Sequence, residues 1–224
     1  HKTMTTIRSF ALLSGIFCTI TYLLILHQSI QDRVIGMPMV ALCLNIAWEF
    51  IFSFVYPSNK PQLYVNYIWF CFDLVIVRQY LKLNQAAFAE YLPKKLFYPA
   101  FCSVLAIGFF NMLFATNELG TKLGSHYTAF EINLIMSVLF IYILLSSDRT
   151  QGQSISIAAT KMIGTAFASV ISFLKFPSSP LLNFLYVAIF LCDGAYIVLL
   201  YQKLAVRDLR PKQELVNFNR ASGG

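Results

Sequence analysis

The sequence has 224 residues, of which 58% are hydrophobic and only 12% are charged, and its mean hydropathy is +0.65. A soluble domain carries about 25% charged residues, so this composition excludes a soluble globular domain and predicts an integral membrane protein. The net charge of +7 could suggest a nucleic-acid partner. The basic residues, however, lie between and after the apolar runs, where membrane proteins concentrate them, so we expect no nucleic-acid partner.

Seven apolar runs follow one another along the chain, each close to the ~20 residues that cross a bilayer as a helix. The connections are short and contain glycine and proline, and no loop is long enough to hold a soluble domain. The sequence therefore predicts an all-α fold, a bundle of seven transmembrane helices, forming a single membrane domain over residues 1–224. The predicted helices cover about residues 6–26, 37–56, 62–82, 96–116, 126–146, 154–174 and 180–202.

The distribution of lysine and arginine predicts how these helices are oriented. Eleven basic residues fall at one set of helix ends and in the C-terminal tail, and five fall at the opposite ends. Because cytoplasmic ends carry the excess of basic residues, we expect a cytoplasmic C-terminus and an external N-terminus. The eleven are Arg33, Arg78, Lys82, Lys94, Lys95, Arg149, Lys203, Arg207, Arg210, Lys212 and Arg220.

The second apolar run carries an ionisable side chain, Glu49. An ionisable group at the centre of a bilayer is costly, about 2.5–3.5 kcal/mol for Asp, Lys or Arg on insertion scales. Asn45 and Phe52 share the helix face of Glu49, since they lie four residues before it and three residues after it. The carboxyl could form a hydrogen bond that joins two helices, but its depth in an apolar run favours a functional role.

Three further acids, Asp73, Glu131 and Asp193, and one base, Lys161, also fall within apolar runs. Four acids against one base leave at least two carboxyls without a cationic partner. Such groups are expected to be neutral in hydrocarbon, and therefore able to donate a proton. Lys161 could neutralise one acid or extend its ammonium group to the membrane interface.

Large aromatic rings lie beside the buried acids. Trp69 precedes Asp73 by four residues and Tyr196 follows Asp193 by three, so each ring shares a helix face with its acid. Packing and interfacial anchoring account for most aromatic residues of a membrane protein. Rings beside buried acids could instead line a pocket and stabilise a carbocation through their π faces.

Motifs of several other protein classes are absent from the sequence. There is no Asp-Asp-x-x-Asp pattern, no Asp-x-Asp-Asp run and no glycine-rich phosphate loop, and all five cysteines fall inside apolar runs. The last apolar run also lacks a lysine that could hold retinal. We therefore expect no metal and no other cofactor.

A short internal similarity supports a second hypothesis. Residues 70–73 (Phe-Cys-Phe-Asp) resemble residues 190–193 (Phe-Leu-Cys-Asp), which would suit two parallel three-helix repeats joined by a linking helix, as in seven-helix carriers. A carrier with acids at the bilayer midplane would couple transport to protons. A proton-coupled small-molecule carrier is therefore the alternative to an enzyme.

Three motifs together resemble the small integral-membrane terpene cyclases of fungal meroterpenoid and indole-diterpene pathways and their bacterial relatives. They are Asn45-x-x-Trp48-Glu49-Phe50, Trp69-x-x-x-Asp73 and Cys192-Asp193-x-x-Tyr196. The resemblance implies that Glu49 and Asp193 are the catalytic acids, which protonate a terminal alkene or epoxide of a prenyl chain without a metal and without loss of diphosphate.

The same resemblance, together with the spacing of the residues, gives an expected site and location. We expect Asp73 and Asn45 to support the acids, and we expect a prenylated hydrophobic small molecule as the substrate, membrane lipid as the surroundings and no obligate protein partner. The membrane would be a bacterial plasma membrane or the endoplasmic reticulum. The resemblance assigns no role to Glu131 or to Lys161. The expected substrate-binding residues are Trp48, Trp69, Phe52 and Tyr196.

Overall fold

The computed structural model describes residues 2–146 and 150–222, with side chains from 7 to 146 and from 150 to 207. Within these residues the chain is helical and contains no strand, which confirms the all-α prediction. Arg149 and the side chains of the basic tail beyond Arg207 lie outside this description. The α-helices are α1 Lys2–Asp32, α2 Met39–Phe50, α3 Gln62–Leu83, α4 Gln85–Ala89, α5 Phe97–Leu119, α6 Thr121–Ser146, α7 Ile155–Lys175 and α8 Pro180–Ser222.

The predicted number of helices was wrong by one. Seven long helices overlap the seven apolar runs, but the described residues form eight α-helices because α4 occupies the connection between α3 and α5. This helix has five residues. A search for runs of ~20 apolar residues cannot detect a helix of that length.

Five of the helices are long and apolar enough to cross a membrane, namely those within Ile7–Asp32, Lys94–Leu119, Thr121–Ser146, Ile155–Lys175 and Pro180–Arg207. The apolar segment Met39–Val55 is shorter. The helix α3 carries three charged residues, Asp73, Arg78 and Lys82, which lower its hydropathy. Of the helices outside this set, α2 carries Glu49 and α3 carries Asp73.

The helix α2 continues into a π-helical turn, Ile51–Val55, directly after the turn that holds Glu49. The amide of Tyr56 bonds to the carbonyl of Ile51 at 2.8 Å, the five-residue spacing of a π turn. A neighbouring helix stabilises this turn, because Asn66 Nδ2 donates to the Phe52 carbonyl at 3.2 Å. The wider turn thus has a partner on α3, and π turns often occur beside functional sites.

Helices α1 and α7 pack closely through small residues. Ser14 Oγ donates to the Gly164 carbonyl at 2.9 Å, and Thr21 and Thr160 join their hydroxyls at 2.9 Å. A Cβ at Gly164 would lie 2.8 Å from Cys18 Sγ. Only glycine therefore allows this approach, which aligns one side of α1 with the helix that carries Lys161.

Two loops close one end of the bundle. The Asp32 carboxylate accepts a hydrogen bond of 2.6 Å from the amide of Gly152, which has a φ of 76°. A Cβ at Gly36 would clash with the backbone of Gly152. Asn84 also bonds to both backbone groups of Ile35, at 2.9 and 2.8 Å. This end is therefore fixed by backbone contacts, just beside Met37 at the base of the internal cavity.

Candidate active site

A cavity of about 390 Å³ lies inside the bundle. Residues of α1, α2, α3, α6 and α7 form its wall, together with loop residues at each end. Among the described residues, α5 and α8 contribute nothing to this wall. They pack behind it, α5 against α2 and α6, and α8 against α6 and α7.

The two ends of the cavity differ in polarity. One end is lined by apolar side chains, including Ile25, Met37, Phe140 and Ile157. The other end lies near the start of α3 and the end of α7 and carries polar side chains. These are Ser58, Gln62, Ser125, His126 and Lys175. A ligand with an apolar tail and a polar head would match this division.

Glu49 lies on the cavity wall and is only 2% exposed. Its Oε2 atom has no hydrogen-bond partner among the described residues, and no cation of the described chain pairs with it. The adjacent Trp48 packs on Phe52 with ring centroids 4.8 Å apart, and its indole N–H donates to Thr128 Oγ1 at 3.1 Å. The indole is therefore held in place beside a carboxyl that lines the cavity.

Asp73 is fully buried and is not part of the cavity wall. Asn45, which does line the cavity, donates from Nδ2 to Asp73 Oδ2 at 2.8 Å and to the Tyr22 hydroxyl at 2.7 Å. The second Asp73 oxygen has no partner in the described chain. Asp73 lies close enough to Glu49 for two charged carboxylates to repel each other. Asn45 thus supports Asp73 rather than Glu49, the acid with which it shares a helix.

Asp193 lies in a different environment. Lys161 Nζ bonds to both of its carboxylate oxygens, at 2.8 and 2.9 Å, and the side chains are 10% and 5% exposed. Ser137 Oγ donates to Asp193 Oδ1 at 2.7 Å and accepts from Lys161 at 2.8 Å. Of the two possibilities for Lys161, the structure has the one in which it neutralises an acid. Lys161 itself lies on the cavity wall, with Asp193 behind it.

The cavity wall includes four of the eight predicted site residues, namely Asn45, Trp48, Glu49 and Trp69. The other four, Phe52, Asp73, Asp193 and Tyr196, lie one layer behind it. The Tyr196 hydroxyl donates to Gln153 Oε1 at 2.8 Å, and its ring packs on Phe140 with centroids 5.3 Å apart. Glu131, for which we predicted no role, is exposed on the outer face of α6.

Sequence reasoning missed the contribution of the first helix. Tyr22 and Cys18 line the cavity, although α1 carries no buried charge that would have drawn attention to it. A tyrosine in the middle of an apolar run was the available signal, since its hydroxyl needs a partner there. Trp69 also depends on α1, because its indole N–H donates to Thr19 Oγ1 at 3.1 Å.

The acids do not form a cluster with histidine or cysteine. Among the described side chains, 7–146 and 150–207, no group of three or more His, Cys, Asp or Glu is arranged to hold a metal ion. Apart from the polar end already described, the side chains that line the cavity include the Glu49 carboxyl, two indoles and a phenol, as well as Lys161, which is already paired. This set can donate a proton and surround an apolar ligand with rings.

The chain belongs to the family of Pyr4-like transmembrane terpene cyclases, whose family model matches residues 1–204. Among the similar proteins is Pyr4-family terpene cyclase mfmH of Annulohypoxylon moriforme, 29% identical over 160 residues, which are 70% of this chain and 66% of that protein. Asnovolin H synthase nvfL of Aspergillus novofumigatus is 25% identical over 201 residues, 83% of this chain and 81% of that protein.

A third relative, terpene cyclase macJ of Penicillium terrestre, is 29% identical over 167 residues, which cover 71% of this chain and 64% of that protein. The aligned part of this chain thus spans about two thirds of the length of mfmH and macJ. No solved structure matches the chain.

Proposed function

We propose that this protein is a membrane-embedded terpene cyclase in which Glu49 protonates the terminal alkene or epoxide of a prenylated substrate. The observation that carries the proposal is the state of Glu49: it is 2% exposed, lies on the cavity wall, and has an oxygen without a hydrogen-bond partner in the described chain. Membership of the cyclase family supports an enzyme over the proton-coupled carrier.

The donor must carry its proton when the substrate binds. Ionising the buried Glu49 would leave a charge without a paired cation, which is strongly unfavourable, and ionising Asp73 as well would add repulsion between the two carboxylates. Both effects favour the neutral acid. Because Oε2 has no hydrogen-bond partner in the described chain, transfer of a proton from this carboxyl breaks no hydrogen bond at that oxygen.

The reaction then depends on the cavity wall. Protonation of the terminal carbon–carbon double bond, or of the epoxide oxygen, creates a cation that the next double bond attacks, closing a ring. Trp48 and Trp69 line the cavity, and their π faces can stabilise the cation. Loss of a proton from the last cation gives a neutral product, so substrate and product are isomers. Exclusion of water prevents premature capture of the cation.

Asn45 and Asp73 are positioning groups in this proposal. The amide of Asn45 spans Tyr22 on α1 and Asp73 on α3, so it fixes the wall on both sides of α2. Phe52 holds Trp48 from behind, and Tyr196 supports Phe140 in the same way. Phe52 and Tyr196 thus shape the wall without touching the substrate.

The membrane setting is part of the proposal. We infer that α2 and α3 cross the bilayer with the five candidate spans, giving seven crossings in one domain with the C-terminus in the cytoplasm. The substrate is an apolar prenylated small molecule that enters from the lipid. Because the relatives are fungal proteins, we favour the endoplasmic reticulum over a bacterial plasma membrane. The reaction needs no metal, no other cofactor and no protein partner.

Incubation of detergent-solubilised protein with farnesylated phenols, and with their terminal epoxides, tests the function. The cyclase predicts a new cyclic product of unchanged mass, and this product should be absent with Glu49→Gln but present with the exposed-acid control Glu131→Gln. The carrier predicts instead pH-driven uptake of an unaltered solute into proteoliposomes, with no product in detergent. That second pattern would overturn the proposal.

A further inference from the structure

We propose that Lys161 and Asp193 act as a charge-compensated pair, in which Asp193 cancels the ammonium charge that Lys161 presents to the cavity. In this assignment Asp193 is a positioning residue that acts through Lys161, and it is not a second proton donor. The inference rests on the proposed function, because it assumes that a cation forms in the cavity. It also assigns a role to Lys161, for which the sequence predicted none.

The hydrogen bonds of the pair are fully used. The three protons of the Lys161 ammonium are matched by three acceptors, the two Asp193 oxygens and Ser137 Oγ, at 2.8 to 2.9 Å. Asp193 Oδ1, at 2.7 Å, and the Asn133 carbonyl, at 2.9 Å, are the two acceptors within reach of the single Ser137 hydroxyl proton. A carboxylate that accepts on both oxygens from an ammonium group is the ionised form, so it has no proton of its own to give.

The order of the two groups relative to the cavity gives the pair its function. Lys161 lies on α7 and lines the cavity, whereas Asp193 lies on α8, which is behind the wall. A bound molecule therefore meets Lys161 before it meets Asp193. Without Asp193, an uncompensated ammonium group would face any cation in the cavity, and the repulsion would be strong in a medium of low dielectric constant.

Lys161 acts on the same section of the cavity as the proposed proton donor. Lys161 directly follows the α7 residue that bonds to Thr21 of α1. The next residue of α1, Tyr22, bonds to Asn45, one turn before Glu49, and both Lys161 and Glu49 line the cavity. A cation formed beside Glu49 would thus also be near Lys161. The charge of the Lys161 ammonium group must therefore be compensated in the section of the cavity where the first cation forms.

Binding of a cation tests the inference without requiring turnover. The probe is N,N-dimethylfarnesylamine, which is protonated at neutral pH, and farnesyl methyl ether is the uncharged control of similar shape. Their affinities are measured for the detergent-solubilised wild type, Asp193→Asn, Lys161→Met and the double variant Lys161→Met/Asp193→Asn. Lys122→Met, an exposed lysine that is not on the cavity wall, is the control for removing a positive charge.

The expected result is a selective loss of cation binding. Asp193→Asn should weaken binding of the amine by about 10- to 100-fold and leave the ether within about threefold, and the double variant should restore the amine to within about threefold of wild type. Lys161→Met alone should bind the amine as tightly as wild type or more tightly. If Asp193→Asn does not fold, the binding of the amine by Lys161→Met still tests the inference.

Other results would overturn the inference. A purely structural pair predicts that Asp193→Asn weakens the amine and the ether alike, and a protonated Asp193 predicts no change in either. Weaker amine binding in Lys161→Met, no recovery in the double variant, or a wild type that binds the ether but not the amine would each contradict the pair. If the binding pattern holds but no farnesylated phenol is cyclised, the proposed function fails and the charge compensation stands.

Discussion

The acids around the cavity, Asp193 on one side and Glu49 with Asp73 on the other, differ in whether a cation is paired with them. Asp193 on α8 is held by an ammonium group and a hydroxyl. Glu49 on α2 has neither, and another carboxyl, Asp73, lies within electrostatic reach of it. The depth of these acids in apolar helices is similar, so the difference in chemistry comes from the neighbouring helices. In a membrane bundle, the partner across the interface decides whether an acid is a fixed charge or a proton source.

Substitution of Glu49 by glutamine should have the largest effect on turnover. The amide keeps the shape of the side chain but has no transferable proton, and general acid catalysis contributes about 10²- to 10⁴-fold. We expect at least this loss in kcat, with a thermal midpoint close to wild type, since a neutral group replaces a neutral group. Matched activity and melting curves measure both quantities. A variant that loses activity only in proportion to stability would indicate a structural role.

Loss of Asp193 should have the largest effect on stability. Removing one partner of a buried ion pair costs about 3–5 kcal/mol, whereas replacing both partners by uncharged groups is often neutral or stabilising. We therefore expect Asp193→Asn to lower the free energy of unfolding in detergent by that amount, and Lys161→Met/Asp193→Asn to recover most of it. Denaturant titrations of the three proteins test this, and equal destabilisation of the single and double variants would contradict it.

Asp73→Asn should have an intermediate effect, a decrease in turnover of about tenfold with a free energy of unfolding within about 1 kcal/mol of wild type. The new amide can still accept the hydrogen bond from Asn45 Nδ2, but it no longer places a carboxyl beside Glu49. Initial rates on the same substrate measure the change. A complete loss of activity, as expected for Glu49→Gln, would make Asp73 a proton donor.

Trp69→Phe should have the smallest effect. The phenyl ring keeps a π face in the cavity wall but loses the indole N–H that donates to Thr19. One such hydrogen bond contributes about 0.5–1.5 kcal/mol to stability. We expect a decrease in stability of that size and a larger share of incompletely cyclised product, measured by chromatography of the product mixture. An unchanged product mixture would remove Trp69 from the substrate-binding wall.

The sequence predicted the elements better than their partners. The apolar runs located the long helices because a membrane-spanning helix must be apolar over its whole length, while the short helix Gln85–Ala89 leaves no such signal. Of the motif around Glu49, Asn45, Trp48 and Glu49 line the cavity, whereas Phe50 is exposed.

The pairing of Lys161 with Asp193 could not be predicted with certainty from the sequence. Thirty-two positions separate the two residues, and an apolar helix gives no register relative to its neighbours, so an unpaired lysine that reaches the interface was equally consistent with the pattern. The same limit applies to Asn45, which lies one turn from Glu49 on α2 but bonds to Asp73 on α3. Spacing along one helix shows a shared face, and only the packing shows what that face meets.

The most direct test of the account compares the rate of cyclisation by Glu49→Gln with that of Lys161→Met/Asp193→Asn in detergent, on the same farnesylated substrate and with thermal midpoints recorded for both. If Glu49 is the proton donor, Glu49→Gln folds and its turnover decreases by at least about 10²-fold. If Asp193 serves to compensate Lys161, the double variant has most of the wild-type turnover that Asp193→Asn, measured in parallel, loses. A double variant as inactive as Glu49→Gln, or a Glu49→Gln variant with the turnover of the wild type, would contradict it.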